Sequence, residues 1–366
     1  MKGTRIDKSL FFLIGALLAF GGLLFTSAIF GLLARGASNM SSVVFNHVVL
    51  GIGIGGIALL IGSRTDYRVW RKFAPHIFII TLALTAAVFI PQLGVEHGGG
   101  RRWLDIAGLS VQPAEYMKVA TIIIAAAYFS TIRNRIGSLR WALGGLLLIL
   151  LGPAILLFAQ PDLGTLGVIV CSTLAIYFVA GARIRDFLTM ALIFIVAIVA
   201  LAYVRPYVLD RIQVFFDPSH APQAEGYQIR QSLIAIGSGG FLGRGFGQSV
   251  QKFTYLPEPI GDSIFAVLGE EFGFVGSVVL IGFFLALALR GFGVATGARD
   301  SFGSLLAIGI STYLVIEAFI NIASMLGIAP LTGIPLTFIS QGGSAMLASL
   351  GSAGILLSIS RKSNRS

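Results

Sequence analysis

Apolar residues in this chain do not alternate with polar ones, nor do they recur only along one helical stripe. They run nearly unbroken for about 20 positions at a time, the length that an α-helix needs to cross a bilayer. Roughly ten such runs can be marked: 9–33, 43–62, 73–91, 112–131, 142–158, 163–182, 187–206, 263–290, 301–327 and 337–360. The pattern predicts an all-α integral membrane protein of about ten transmembrane helices, with residues 1–366 forming a single transmembrane domain. The run near 142–158 is short and contains Pro153, so it is expected to tilt, kink or shelter behind its neighbours.

Composition agrees. The chain is 56% hydrophobic and 11% charged, where soluble domains carry about 25% charged residues. Charge placement then sets an orientation. Lys2, Arg5 and Lys8 precede the first run. Arg64, Arg68, Arg71 and Lys72 lie between runs 2 and 3, and Arg133, Arg135 and Arg140 between 4 and 5. Arg183 and Arg185 lie between 6 and 7, Arg290 and Arg299 between 8 and 9, and Arg361, Lys362 and Arg365 in the tail. These alternate connections hold roughly two-thirds of the 26 Lys and Arg residues, so the positive-inside rule puts them, and both termini, in the cytoplasm. The net charge of +10 follows from this bias and is no sign of nucleic-acid binding. Cys171 is the sole cysteine, which excludes an internal disulfide, and His47, His76, His97 and His220 show no ligand spacing. The first run is too long for a cleaved signal and reads as a retained span.

Two outer connections are longer than plain linkers need to be. The first holds Gly98-Gly99-Gly100-Arg101-Arg102-Trp103-Leu104-Asp105 and leads to Gln112, Glu115 and Lys118. The second is a large extracytoplasmic loop of about 206–262 between runs 7 and 8. Its glycine-rich part, Gly237–Gly247, is apolar enough to dip into the membrane or lie on it as a substrate platform. No strand precedes these glycines and no Lys-Ser/Thr follows them, so they do not read as a phosphate-binding turn.

Charged residues at the membrane are costly and commonly functional. Asp262 stands where the large loop meets run 8. Glu115 and Lys118 share a helix face, as a self-neutralising pair or as a cation held beside an anionic substrate. Asp162 is an N-cap for run 6 or a site residue. Glu270 and Glu271 lie about two turns into run 8, and Glu317 and Asn321 are expected to join an interhelical hydrogen-bond network. Asp262, Arg101, Arg102, Glu115, Lys118, Asp162 and Gly342-Gly343-Ser344 all map to the outer side. Carboxylates and cations together suit a hydroxyl nucleophile, which needs a base, and an anionic leaving group, which needs positive charge.

Four blocks carry a resemblance to a known family. They are Gly100–Asp105 with Gln112-Pro113-Ala114-Glu115 and Lys118; Gln160–Thr165; Gly226-Tyr227-Gln228 through Gln251-Lys252 to Tyr255–Glu258 and Asp262; and Asn321 through Pro330, Gly333 and Pro335 to Ser340–Ala345. Together they resemble the SEDS proteins of shape, elongation, division and sporulation, which include FtsW and RodA, over nearly the whole chain. The string 231–240 with Ser249–Lys252 and Tyr255–Glu258 is more similar to the division branch, FtsW. The resemblance implies a peptidoglycan glycosyltransferase of the bacterial cytoplasmic (inner) membrane that polymerises lipid II during septal wall synthesis. It also implies a class B penicillin-binding transpeptidase and other division proteins as partners. Asp262 matches the family's essential aspartate. Arg101, Arg102, Glu115, Lys118, Asp162, Lys252, Glu258, Ser340, Gln341, Gly342, Gly343 and Ser344 are the expected substrate-binding residues. Two departures are Ile260-Gly261, where the family usually has His or Ser-Thr character, and Gln341, where it usually has Tyr. An elongation polymerase of the RodA type, a lipid II flippase and a non-catalytic division scaffold are the alternatives. No cofactor is expected, although outer carboxylates could hold a divalent cation.

Overall fold

A computed structural model describes residues 6–36, 40–97, 100–106, 109–204, 206–217 and 225–362. Lys2, Arg5, Gly98, Gly99, His220 and Arg365, singled out above, lie outside the described residues.

Among the described residues each expected run is mainly helical. The first is α1 (Lys8–Ala34), capped by Asp7, whose side chain accepts from the Leu10 amide. The second is α2 (Met40–Phe45), a π-helical segment (Asn46–Ile54) and α3 (Gly55–Arg64) in one continuous rod. Then come α4 (Arg68–Ala87), α5 (Pro113–Thr131), α6 (Leu139–Ala159), α7 (Leu163–Val179) and α8 (Ile184–Val204). The large connection folds into α9 (Pro206–Phe216), α10 (Glu225–Ser238) and the single turn α11 (Gln251–Thr254). The chain ends with α12 (Ile264–Gly297), α13 (Ser301–Met325) and α14 (Gly343–Arg361). Lys8–Ala34, Ser41–Arg64, Leu139–Ala159, Ile264–Gly297, Ser301–Met325 and Gly343–Arg361 are long and apolar enough to cross a membrane. The molecule is a predominantly α-helical, multi-pass membrane protein.

One element was not expected. The connection before α5 forms an antiparallel meander of β1 (Gly94–His97), β2 (Gly100–Ile106) and β3 (Leu109–Val111), with Val95 opposite Trp103 and Leu104 opposite Val111. Three strands this short give no period long enough to stand out from a helix-rich sequence. The meander turns Arg101 outward while Leu104 is buried.

Polar contacts sort the connections into two ends. At one, Ser358 donates to the Thr65 carbonyl, Lys362 pairs with Asp66, Arg68 reaches Asp300 at 3.0 Å and Arg71 reaches Thr131 at 3.3 Å. At the other, Arg35 bonds the Lys252 carbonyl at 2.8 Å, Arg102 the Gln160 carbonyl at 3.0 Å, the Gln112 amide Ser344 at 3.0 Å and the Gln341 amide the Ile260 carbonyl at 2.8 Å. Successive long helices thus run back and forth between the ends. Small residues let them close: a Cβ on Gly354 of α14 would sit 2.5 Å from the Leu59 carbonyl oxygen of α3.

The helix α12 is two helices in line. Gly273 interrupts it with φ 64° and ψ −159°, a region essentially reserved for glycine. The glycine-rich loop after α10 fits the break. The amides of Arg244 and Gly245 donate to the carbonyls of Glu270 and Glu271 at 3.0 Å each. The amides of Phe274 and Val275 donate to the carbonyls of Gly240 and Phe241 at 2.9 and 3.1 Å. Backbone groups freed by the break are satisfied by the loop, as irregular backbone at membrane depth requires. The loop thus packs against the break in α12 through four backbone hydrogen bonds.

Candidate functional site

Asp262 sits in the turn that feeds α12. Glu258 occupies a left-handed conformation, φ 43°, and its carbonyl accepts the Gly261 and Ser263 amides at 3.0 and 3.3 Å. Two distant elements clamp the turn. Asn321 of α13 donates to the Asp262 carbonyl and to the Ile334 carbonyl, both at 2.8 Å. Ser340 donates to the Gly261 carbonyl at 2.6 Å while accepting the Leu336 amide at 2.8 Å. With the Gln341 amide on the Ile260 carbonyl, the backbone around Asp262 is fixed from both sides.

The Asp262 carboxylate is half-buried and takes a hydrogen bond from Gln228 Nε2 at 2.9 Å, which also reaches Ser263 Oγ at 2.9 Å. Burial pushes its pKa up to about 6, with the Glu258 charge adding to the rise and the Gln228 bond opposing it. A carboxylate tuned this way is ionised at neutral pH yet more basic than an ordinary aspartate, which suits proton abstraction from a hydroxyl. Glu258 is exposed beside it.

The remaining expected residues fall into three settings. Ser340 and Gln341 adjoin Asp262 as described. Gly342 caps α14, a Cβ on Gly343 would lie 2.9 Å from the Asn46 carbonyl oxygen, and Ser344 accepts the Gln112 amide. Arg101 is exposed, 3.7 Å from Glu96. Arg102 spends its guanidinium on the carbonyls of Gln160 and Pro161, at 3.0 and 2.6 Å, which end α6. Asp162 takes the N-cap position of α7, accepting from the Thr165 amide at 3.1 Å and its hydroxyl at 2.9 Å.

Both lysines have immediate protein partners rather than an open face. Lys118 Nζ lies 2.9 Å from Glu115 and 2.8 Å from Glu317 of α13, with all three side chains buried. Lys252 Nζ lies 2.5 Å from Glu271 Oε1 and 2.7 Å from Ser27 of α1. Glu271 also accepts the Gly247 amide, while Glu270 accepts the Ser249 hydroxyl and the amides of Val250 and Gln251. The two glutamates therefore hold the glycine-rich loop to the broken helix. An unpaired charge at such depth would be costly, and the pairings remove that cost.

Two side chains at the site were not among the expected residues. Gln228 lay within a quoted block, but nothing in its local pattern pointed to a carboxylate 34 positions away. Arg35 ends α1 and bonds the carbonyls of Lys252, Phe253 and Leu256 at 2.8, 3.1 and 3.0 Å. Its one legible signal is a cation on the side that the charge bias leaves poor in cations. Among the described residues no three His, Cys, Asp or Glu side chains gather to hold a metal ion.

Comparison with known proteins follows the same lines. The family profile for FtsW, RodA and SpoVE, described as "Cell cycle protein", matches residues 8–365. "Stage V sporulation protein E" of Bacillus subtilis is 41% identical over 311 residues, 85% of each chain. "Probable peptidoglycan glycosyltransferase FtsW" of Trichlorobacter lovleyi is 36% identical over 98% of this chain and 93% of its own. Among solved structures, "Structural coordination of polymerization and crosslinking by a peptidoglycan synthase complex" contains a chain of TM-score 0.80 and 26% identity. The rod shape determining protein RodA of Thermus thermophilus gives TM-score 0.72 and 26% identity. Both similarities cover 99% of each chain.

Proposed function

The chain belongs to the FtsW, RodA and SpoVE family of cell cycle proteins, and from that premise we propose that it is a peptidoglycan glycosyltransferase acting in septal wall synthesis. Its substrate is lipid II and its product a glycan strand. The observation that carries this reading is Asp262: a half-exposed carboxylate, clamped by Asn321 and Ser340, with its pKa raised to about 6.

The 4-hydroxyl of the acceptor GlcNAc attacks C1 of the donor MurNAc. Asp262 takes the hydroxyl proton, the C1–oxygen bond to the lipid pyrophosphate breaks, and the electron pair leaves with the pyrophosphate. A β-1,4 linkage from an α-linked donor makes this a single inverting displacement. Gln228 orients the base. Arg101, exposed on the meander, supplies positive charge to the leaving group in this reading, and Arg102 joins it on exchanging a carbonyl partner for phosphate, whose oxygens match its fork. Lys118 and Lys252 act at one remove, by holding α5 to α13 and the glycine-rich loop to α12.

Ten spans, cytoplasmic termini and an outward-facing Asp262 in the inner membrane complete the proposal, supported by the charge bias and by the grouping of connections at two ends. The complex in which the similar solved chain was studied supports a transpeptidase partner here. The test is polymer formation from lipid II by purified protein in detergent. Polymer is expected, with a rate falling about tenfold per pH unit below about 6, where Asp262 is protonated. No polymer from folded protein, together with lipid II transport by the same protein in proteoliposomes, would favour a flippase.

A further inference from the structure

Helices α1 and α12 are antiparallel neighbours that touch in one half of the molecule and part in the other. They meet where Ser27 bonds Glu271 and where the rings of Phe20 and Phe272 lie 5.7 Å apart. Toward the end that carries most of the Lys and Arg they diverge and leave a cavity of about 510 Å³. Its rim is Lys8 at the start of α1 and Arg290 near the end of α12. Its walls are Phe12 and Leu13 from one helix and Ala286 and Leu289 from the other.

Phe12 lies about one turn deeper than Lys8 on α1 and Ala286 about one turn deeper than Arg290 on α12, each pair being four residues apart, while Leu289 adjoins Arg290. Phe12 is 70% exposed and Leu289 72%. Neither Lys8 nor Arg290 forms an ion pair among the described residues. The adjacent carboxylate, Asp7, is committed to capping α1 through the Leu10 amide at 3.0 Å. Two unmatched positive charges above an apolar slot call for an amphiphile with an anionic head. A spanning helix about 10 Å across and about 30 Å long would need roughly 2,000 Å³, several times the space between α1 and α12. An acyl chain needs far less.

We propose that this cavity binds an acidic glycerophospholipid, its head phosphate on Lys8 and Arg290 and one acyl chain between Phe12 and Leu289. The site is remote from Asp262 and uses none of the residues assigned to polymerisation. Basic pockets between transmembrane helices are established headgroup sites, and each such cation contributes measurably to anionic-lipid binding.

The test uses the full chain in neutral detergent, titrated with phosphatidylglycerol, phosphatidylcholine or inorganic phosphate and read by native mass spectrometry. One tightly retained phosphatidylglycerol is expected, with phosphatidylcholine held weakly and phosphate unable to displace the lipid. The double variant Lys8→Gln with Arg290→Gln should bind phosphatidylglycerol about 10- to 30-fold more weakly. Ala286→Trp, which fills the slot and leaves both cations, should lose the lipid as well. Both variants change side chains at the rim or the open slot and should melt as wild type does before lipid is added. Wild-type retention by either variant would overturn the proposal. So would displacement of the lipid by phosphate alone, or a second protein's helix held in the slot instead of lipid.

Discussion

Asp262 and Lys118 are both charges brought to the edge or interior of an apolar bundle, and their surroundings give them opposite tasks. Asp262 keeps one face toward solvent, has its backbone clamped, and has its basicity raised by burial and by Glu258. Lys118 is enclosed between Glu115 and Glu317. If Glu115 and Lys118 were only a self-neutralising pair, Glu115→Gln would rescue Lys118→Met. Glu317 changes that expectation. Lys118→Met leaves two buried carboxylates facing each other, which should destabilise the fold by about 3–5 kcal/mol. The double variant still strands Glu317, so rescue requires Lys118→Met, Glu115→Gln and Glu317→Gln together. Thermal melting in detergent of the single, double and triple variants checks this; a single variant as stable as wild type would show the triad to be dispensable. The Gln341 departure is explained at the same scale, because its backbone amide, not its side chain, holds the Ile260 carbonyl.

Among the elements, the broken α12 and the loop that fits it depend on Gly273. A Cβ there would meet the Gly243 nitrogen at 2.4 Å and the Phe241 carbonyl oxygen at 2.8 Å, both backbone atoms that cannot swing aside. Its φ and ψ add about 1–3 kcal/mol of strain for any other residue. Gly273→Ala is therefore expected to lower the melting temperature and expose the 239–249 loop to limited proteolysis. An unchanged cleavage pattern would mean that the loop does not need the break. The helices themselves were legible because lipid leaves the backbone few alternatives and forces long apolar runs. The mixed apolar and glycine content of the 237–247 stretch marked it as more than a plain linker, and it packs on α12. The β1–β3 meander was not, for its strands are too short to show a period. Of the buried charges' partners, Glu115 was legible as the same-face neighbour of Lys118, but the distant ones were not: Lys118 finds Glu317 199 positions away, and Ser27 finds Glu271 244 positions away. A linear pattern shows that a charge needs a partner, not which one packing will deliver.

Over the whole molecule, the connections separate into a basic end, tied by Arg68–Asp300 and Lys362–Asp66, and an end where Asp262, Arg35 and the meander converge. The sidedness implied by charge can be measured after Cys171→Ala removes the native thiol. A cysteine at Tyr255, 51% exposed beside the site, should react with an impermeant thiol reagent added to intact cells. A cysteine at Arg299 should react only after the membrane is breached. The reverse pattern would place Asp262 on the cytoplasmic side, away from a growing wall. What remains decisive is whether Asp262 does the chemistry. The direct measurement is the rate of lipid II polymerisation by purified Asp262→Asn protein, shown by melting to be folded, against wild type at neutral pH. Loss of the base predicts a fall of about 10²–10⁴-fold, and a rate near wild type would contradict the assignment.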